Sequence, residues 1–235
     1  AIVLDDIGNS EHDYQALELP SEVAFSLLPF TPESMRIGQQ AWAQNRDLLL
    51  HVPMEAMAKN AFLGPGALRV DMDEQQIKQQ LTQAILALPF IQGINNHMGS
   101  KLTTMADPMR WTMEVLYQHE LFFLDSRTSK DTVAESTALS LGVPVLRRHV
   151  FLDNLRSHAA IEKQFNIALK LAKGGRDVVI AGGSGLHFRS LVDPLEFPPT
   201  DDDMRAELED TDVEVLRSEL LVADPNAASV VDLAN

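Results

Sequence analysis

A chain of 235 residues with 45% hydrophobic and 23% charged residues is long and apolar enough to bury one sizeable core, which excludes a disulfide miniprotein and a disordered chain. Thirty-four acidic residues against nineteen basic ones give a formal charge of −15; a phosphate backbone is repelled by such a surface, which argues against a nucleic-acid partner. No apolar run approaches the roughly 20 residues that span a bilayer, so no membrane span is expected. The chain has no cysteine, which is compatible with export. It opens inside an apolar strand pattern with neither an initiator Met nor a charged n-region, which predicts a signal peptide upstream and a periplasmic or otherwise exported location.

In chain order, short apolar runs alternate with longer stretches of helical periodicity, the pattern of βα units around a parallel sheet. Seven strands are predicted at 1–4, 23–28, 47–52, 93–96, 121–125, 143–146 and 177–181. Helices are predicted at 32–44, 74–88, 108–119, 131–141 and 158–173. In the third helix Met109, Thr112, Met113, Leu116 and Tyr117 recur at helical spacing and predict one buried face. The fold class is therefore α/β, as a distorted barrel of βα repeats or an open doubly wound sheet. Residues 193–235 hold 13 acidic and 2 basic residues, and EFPPTDDD at 196–203 reads as a linker. These features predict a barrel over 1–195 and an acidic tail over 196–235 that is partly disordered, unless the apolar stretch 213–222 docks as a final helix.

The polar residues concentrate where apolar runs stop. VLDD ends at Asp5 and Asp6, LLLHVPME carries His51 and Glu55, INNHMGS runs through Asn95, Asn96, His97 and Ser100, and FFLDSRT supplies Asp125 and Arg127. A fifth stretch, RRHVFLDN, adds His149, Asp153 and Asn154. In parallel α/β folds the carboxyl ends of the strands share one face, so these clusters converge in space. One such residue taken alone is as well explained by a helix cap or a satisfied core histidine; several charges at one mouth need pairing or a metal. Asp5 and Asp6 are neighbours and on a regular strand would face opposite sides; where the chain turns, one can coordinate a cation while the other takes protons from water. Neutral imidazoles at His51 and His97 complete a one-carboxylate, two-histidine set suited to zinc or a similar divalent ion with an open position. Such an ion makes hydroxide available near neutral pH and polarises a carbonyl, which is amide or ester hydrolysis. Glu55, Asn96, Ser100, Arg127, His149 and Asp153 are the candidate substrate contacts. A serine hydrolase is a weaker reading, because GGSG at 182–185 does not make a G-x-S-x-G elbow.

LDDIGN, LLLHVPME, GINNHMGSKLT, FFLDSRTS and RRHVFLDN resemble, in order and spacing, the divergent polysaccharide deacetylase family, a branch of the NodB-like carbohydrate deacetylases. The resemblance runs from about residue 2 to residue 181. It implies a distorted barrel of about seven parallel strands, a divalent metal, an acetylated cell-envelope glycan as substrate, Asp5 as general base and Asp6 as metal ligand. Asp125 is expected to orient Asp5 or a ligand imidazole. The chain departs from the wider superfamily at position 55, where Glu stands in place of a second ligand histidine, so that His97 takes that role. Beyond residue 181 it reads GGSGLHFRS in place of a Gly-His-Pro stretch, so His187 is a doubtful general acid. Two functions follow: a metal-dependent deacetylase, or a barrel that keeps the metal but binds glycan with little activity.

Overall fold

The computed structural model describes residues 1–151, 158–175, 177–182 and 215. The chain divides into two compact units, Ala1–Leu195 and Glu196–Asn235. The expectations for the acidic tail, for the Gly-rich stretch from 183 and for Asp153, Asn154 and His187 fall outside the described residues.

Eight parallel strands form one sheet: β1 (Ile2–Ile7), β2 (Val23–Leu27), β3 (Leu48–Met54), β4 (Gly93–Met98), β5 (Phe122–Asp125), β6 (Val145–Arg147), β7 (Val150–Phe151) and β8 (Ile180–Gly182). Their spatial order is β6-β5-β4-β3-β2-β1-β8-β7, so the strands at its two edges are neighbours in sequence. Only two residues join Arg147 to Val150, a reach of about 10 Å at most. The sheet therefore has to curl until its edges meet. Arg148 N–H still donates to Asp125 C=O on the β5 side, while His149 N–H donates to Val179 C=O on the β8 side. One extended segment thus changes partner midway and completes a distorted barrel. The seven predicted strands correspond to β1–β6 and β8; β7, only two residues long, has no predicted counterpart, which is why the count is eight.

Five α-helices among the described residues, α1 (Ser34–Ala43), α2 (Glu74–Ala87), α3 (Ala106–Gln118), α4 (Ala134–Ser140) and α5 (His158–Lys173), cover the outside of the barrel. Each strand alternates between the two layers. Leu4, Phe25, Leu27, Leu48, Leu50, Ile94 and Phe123 join the large apolar cluster shared with the helices, whereas Val3, Ala24, Leu49, Leu124, Val179 and Ala181 form a separate, smaller plug inside the barrel. Asp73 starts α2 by accepting from Gln76 N–H while the Gln76 side chain accepts from Asp73 N–H, a reciprocal cap. On α3 the predicted face is buried except for Tyr117, which stands 64% exposed at the edge of the stripe.

Arg46, after α1, is 1% exposed, and its guanidinium donates to the carbonyls of Leu19, Pro20 and Val23 and to Gln44 Oε1. It also lies 4.2 Å from the centre of the Phe25 ring. The charge is tolerated in the interior because those oxygens need donors as much as the guanidinium needs acceptors. Arg46→Met is expected to cost about 3 kcal/mol of stability, because it strands buried carbonyls; chemical denaturation measures this, and an unchanged midpoint would contradict it.

Candidate metal centre

Toward the carboxyl ends, β1 to β5 turn polar on the face that carries the inner apolar plug. Val3 is followed by Asp5, Ala24 by Ser26, Leu49 by His51 and Leu124 by Ser126, while β4 presents Asn95 and then His97. Strand registers place His51 beside Asn95 and Pro53 beside His97. The pleat alone builds this layer, because residues of equal parity on adjacent parallel strands lie side by side.

Asp6 is the exception to parity. Pairing between β1 and β2 slips between Leu4 and Ile7, and Asp6 takes φ 62°, the left-handed region that Asp tolerates better than most residues. A bulge adds a residue and re-aims a side chain. Asp6 thereby turns to the mouth on which Asp5 already opens. Its Oδ1 lies 2.9 Å from His97 Nδ1 and 3.2 Å from His51 Nε2, and those two nitrogens are 3.3 Å apart.

Both imidazoles are held in fixed tautomers by their far nitrogens. His51 Nδ1 lies 2.7 Å from Asn95 Oδ1 and His97 Nε2 lies 3.3 Å from the Phe62 carbonyl oxygen. Oxygen acceptors at those positions require N–H there, which leaves His51 Nε2 and His97 Nδ1 as bare lone pairs aimed at Asp6. Asp6 Oδ1 is itself buried and, among the described residues, makes no well-aligned hydrogen bond despite both short distances. Three electron-rich atoms within 3.3 Å repel unless a positive charge sits among them. Ligand atoms about 2.1 Å from a divalent ion, at angles between roughly 90° and 110°, stand about 3.0–3.4 Å apart, so the donor set and its spacing fit such an ion.

With protein groups alone, that charge is a proton. Burial by itself pushes the His51 imidazole down, but the Asp5 charge, the contact with Asp6 and the bond to Asn95 outweigh it and raise the pKa from 6.5 to about 9. For Asp6, burial pushes upward and is overcome by His51 and His97, which hold the carboxyl well below the usual range. Asn95 is fully buried and is the hub of the layer: its Nδ2 donates to Asp5 Oδ1 at 2.8 Å, and its Oδ1 accepts from Ser26 Oγ and faces His51. Partners of this kind orient metal-binding imidazoles.

Of the sequence-predicted residues, Asp5, Asp6, His51 and His97 come together; several others are placed elsewhere. Asp125 has the parity of Phe123, and its oxygens accept from Arg127 N–H and Thr132 Oγ, touching neither Asp5 nor an imidazole; burial raises its pKa despite those two bonds. The residue that bonds Asp5 and faces His51 is Asn95, which shares the inner face. Asn96, of outer parity, ties Met98 C=O to Ser126 N–H and does not open on the mouth. Glu55 pairs with Lys101 Nζ at 2.7 Å, which holds its carboxyl below the usual range, and accepts from Val70 N–H; it braces a loop. Ser100 Oγ accepts from Met57 N–H, Arg127 turns its backbone through φ 49° beside Asp125, and the exposed His149 accepts at Nδ1 from Val179 N–H. Sequence reasoning missed Ser26 and Ser126, whose hydroxyls are buried in the inner layer. Parity counted from the inner plug would have found both. Ser126 Oγ has no hydrogen-bond partner among the described residues.

A cleft of about 240 Å³ opens directly on Asp6 and His97, walled by Leu28, Pro29, Thr31, Phe62, Leu63 and Pro65. Its floor offers charge and its walls are mostly apolar.

The sequence model of the divergent polysaccharide deacetylase family matches residues 2–186. The uncharacterized protein YibQ of Escherichia coli K12 is 36% identical over 183 residues, which are 77% of this chain and 57% of that protein. The chain thus spans less than two thirds of the length of this relative. The crystal structure of an uncharacterized protein from Agrobacterium tumefaciens C58 superposes with a TM-score of 0.74 at 22% identity, over 79% of this chain and 77% of that one, and shares the fold. A second family model, for IPP transferase, matches residues 152–235. The chain is also similar to the tRNA dimethylallyltransferase of Corynebacterium glutamicum, 45% identical over 62 residues, which are 25% of this chain and 21% of that enzyme.

Two outcomes follow from this geometry. A histidine whose folded pKa is raised stabilises the fold fully below its unfolded value and loses that contribution as pH climbs through the folded one. The melting temperature of chelator-treated protein is therefore expected to fall between pH 6.5 and about 9, and added zinc to abolish the fall by displacing the proton. A flat chelated profile across that range would contradict the arrangement. Asn95→Ala is expected to weaken zinc binding about 10- to 100-fold through loss of the orienting contact, which competition against a zinc indicator dye measures.

Proposed function

The chain belongs to the divergent polysaccharide deacetylase family, and from that premise we propose that it is a metal-dependent hydrolase that removes acetyl groups from an N-acetylated cell-envelope glycan. The observation that carries this reading is the convergence of Asp6, His51 and His97 beside the buried Asp5 at the foot of an open cleft.

Asp6, His51 and His97 would hold a divalent ion, most simply zinc given two imidazoles and one carboxylate. When bound, such an ion supplies Lewis acidity, polarising a carbonyl and easing deprotonation of water near neutral pH. The protein's part is positional and protonic. Asp6 commits its charge to that centre. Asp5 is anchored by Asn95 Nδ2, with its Oδ1 3.9 Å from His51 Nδ1, and accepts the proton of the water that attacks the acetyl carbonyl carbon. The C–N bond then breaks, the nitrogen takes back the proton that Asp5 accepted and leaves as the free amine, and acetate is released. Asn95 and the Phe62 carbonyl hold the two imidazoles so that their bare nitrogens stay on the centre throughout.

The IPP transferase match raises prenyl transfer to tRNA as a second reading. It has weaker support, because the matches to such enzymes take in 20% to 36% of their length and residues 193–235 carry 13 acidic against 2 basic residues, a poor surface for RNA.

Asp5→Asn is expected to keep its metal and its fold while losing roughly 100-fold or more in turnover, the usual contribution of a positioned base. Acetate release from chitooligosaccharide and peptidoglycan fragments, with metal content in parallel, makes the measurement. Wild-type turnover in the variant removes Asp5 from the mechanism; no turnover by metal-loaded wild type on either substrate favours a glycan-binding barrel.

A further inference from the structure

Single exposed apolar side chains are ordinary on protein surfaces, and Trp42, Leu86, Tyr117 and Leu139 are examples on the outer helices. Phe62 differs in where it stands. It is 73% exposed, it lines the cleft that also contains Asp6 and His97, and its own carbonyl oxygen is 3.3 Å from His97 Nε2. The ring and the candidate metal ligand are thus linked through one residue.

The segment that presents Phe62 is braced at several points. Asn60 makes two reciprocal bonds with the backbone of Ala56, at 2.8 and 2.9 Å. Glu55 clamps Lys101 and Val70, and the Met54–Leu68 bridge closes the base. Leu63, the next residue, is 1% exposed and anchors the turn in the interior. Nearby Phe30 packs so closely on Gly66 that a Cβ there would come within 2.8 Å of its ring, so Phe30 is spent on holding the loop. Among the described residues nothing comparable covers Phe62. A rigid loop holds an aromatic ring in water beside the candidate catalytic centre.

The cleft's volume, about 240 Å³, is below that of a pocket for a drug-sized ligand. It suits an acyl group with part of one sugar ring, while the rest of a polymer passes over the rim. Its chemistry divides the same way: carboxylate and imidazole at the floor for a carbonyl, and apolar walls at Leu28, Pro29, Leu63 and Pro65 for a methyl group. Above them, the exposed ring offers a flat apolar face to the C–H face of a pyranose.

Building on the reading above, we propose that Phe62 is the sugar-stacking residue of the cleft, seating an N-acetylated pyranose so that its acetyl group reaches Asp6 and His97. Phe62 binds the substrate and takes no proton. Its loss weakens sugar binding while the metal centre and the fold are kept.

The test is calorimetric titration of the zinc-loaded full chain with N-acetylated chitotetraose, comparing wild type, Phe62→Ala and Phe62→Trp, with zinc affinity and melting temperature measured in each. Phe62→Ala is expected to weaken binding about tenfold or more, the order of one stacking contact. Phe62→Trp, which keeps a flat face, is expected to stay near wild type, and zinc affinity and melting temperature to be unchanged in both. Equal binding by Phe62→Ala and wild type overturns the proposal, as does absence of binding by wild type. A parallel loss of zinc affinity also overturns it, by showing that the ring merely supports His97. Acetate release read on the same samples separates the two readings. Phe62-dependent binding without acetate refutes the deacetylase and leaves the stacking site standing; acetate release with an unchanged KM in Phe62→Ala does the reverse.

Discussion

Two imidazole nitrogens and one carboxylate oxygen, all within 3.3 Å of one another, form an arrangement that is repulsive unless a positive charge occupies its centre. Everything else at the barrel mouth serves to keep them there. Asn95 and the Phe62 carbonyl each fix one ring from behind, and the bulge in β1 turns Asp6 inward. The same repulsion explains the electrostatics: without a metal, His51 holds a proton to about pH 9, because Asp5 and Asp6 supply negative charge beside it. A centre built this way exchanges a proton for a divalent ion, and its occupancy depends on pH.

The barrel makes that convergence possible. Its strands are parallel, so their carboxyl ends share one mouth, and segment 145–151 closes the ring by pairing first with β5 and then with β8. The interior divides cleanly. Six small or medium apolar residues fill the lower part, and polar side chains begin one pleat higher. Burying Asp5, Ser26, His51 and Asn95 together is tolerated because they bond to one another; each alone would leave an orphaned donor or acceptor. The loop that carries Phe62 extends this architecture outward, braced by Glu55 and Asn60 and joined to His97 by one carbonyl.

The two family matches overlap over residues 152–186, the stretch that contains α5 and β8. A helix followed by a parallel strand is the repeating unit of every sheet of this kind, so one stretch can satisfy both patterns. Here its described part docks into the barrel, with β8 in register against β1 and β7.

By itself the sequence determined the fold class, the approximate positions of the strands and helices, and the membership of Asp5, Asp6, His51 and His97 in one cluster. Each of these depends on local pattern: apolar periodicity, and polar residues where apolar runs stop. It also carried the family through five ordered motifs. Only the tertiary structure decided which neighbouring polar residue faces the mouth. Asn95 and Asn96 are chemically identical and adjacent, and Asp125 and Ser126 both close the same strand end; in each pair one faces the barrel interior and the other lies on the opposite face. That choice is set by pleat parity against partner strands 22 to 44 residues away, and by the bulge that overrides parity for Asp6. Short-range pattern cannot record either, because both are fixed by pairing between strands that meet only when the sheet has closed.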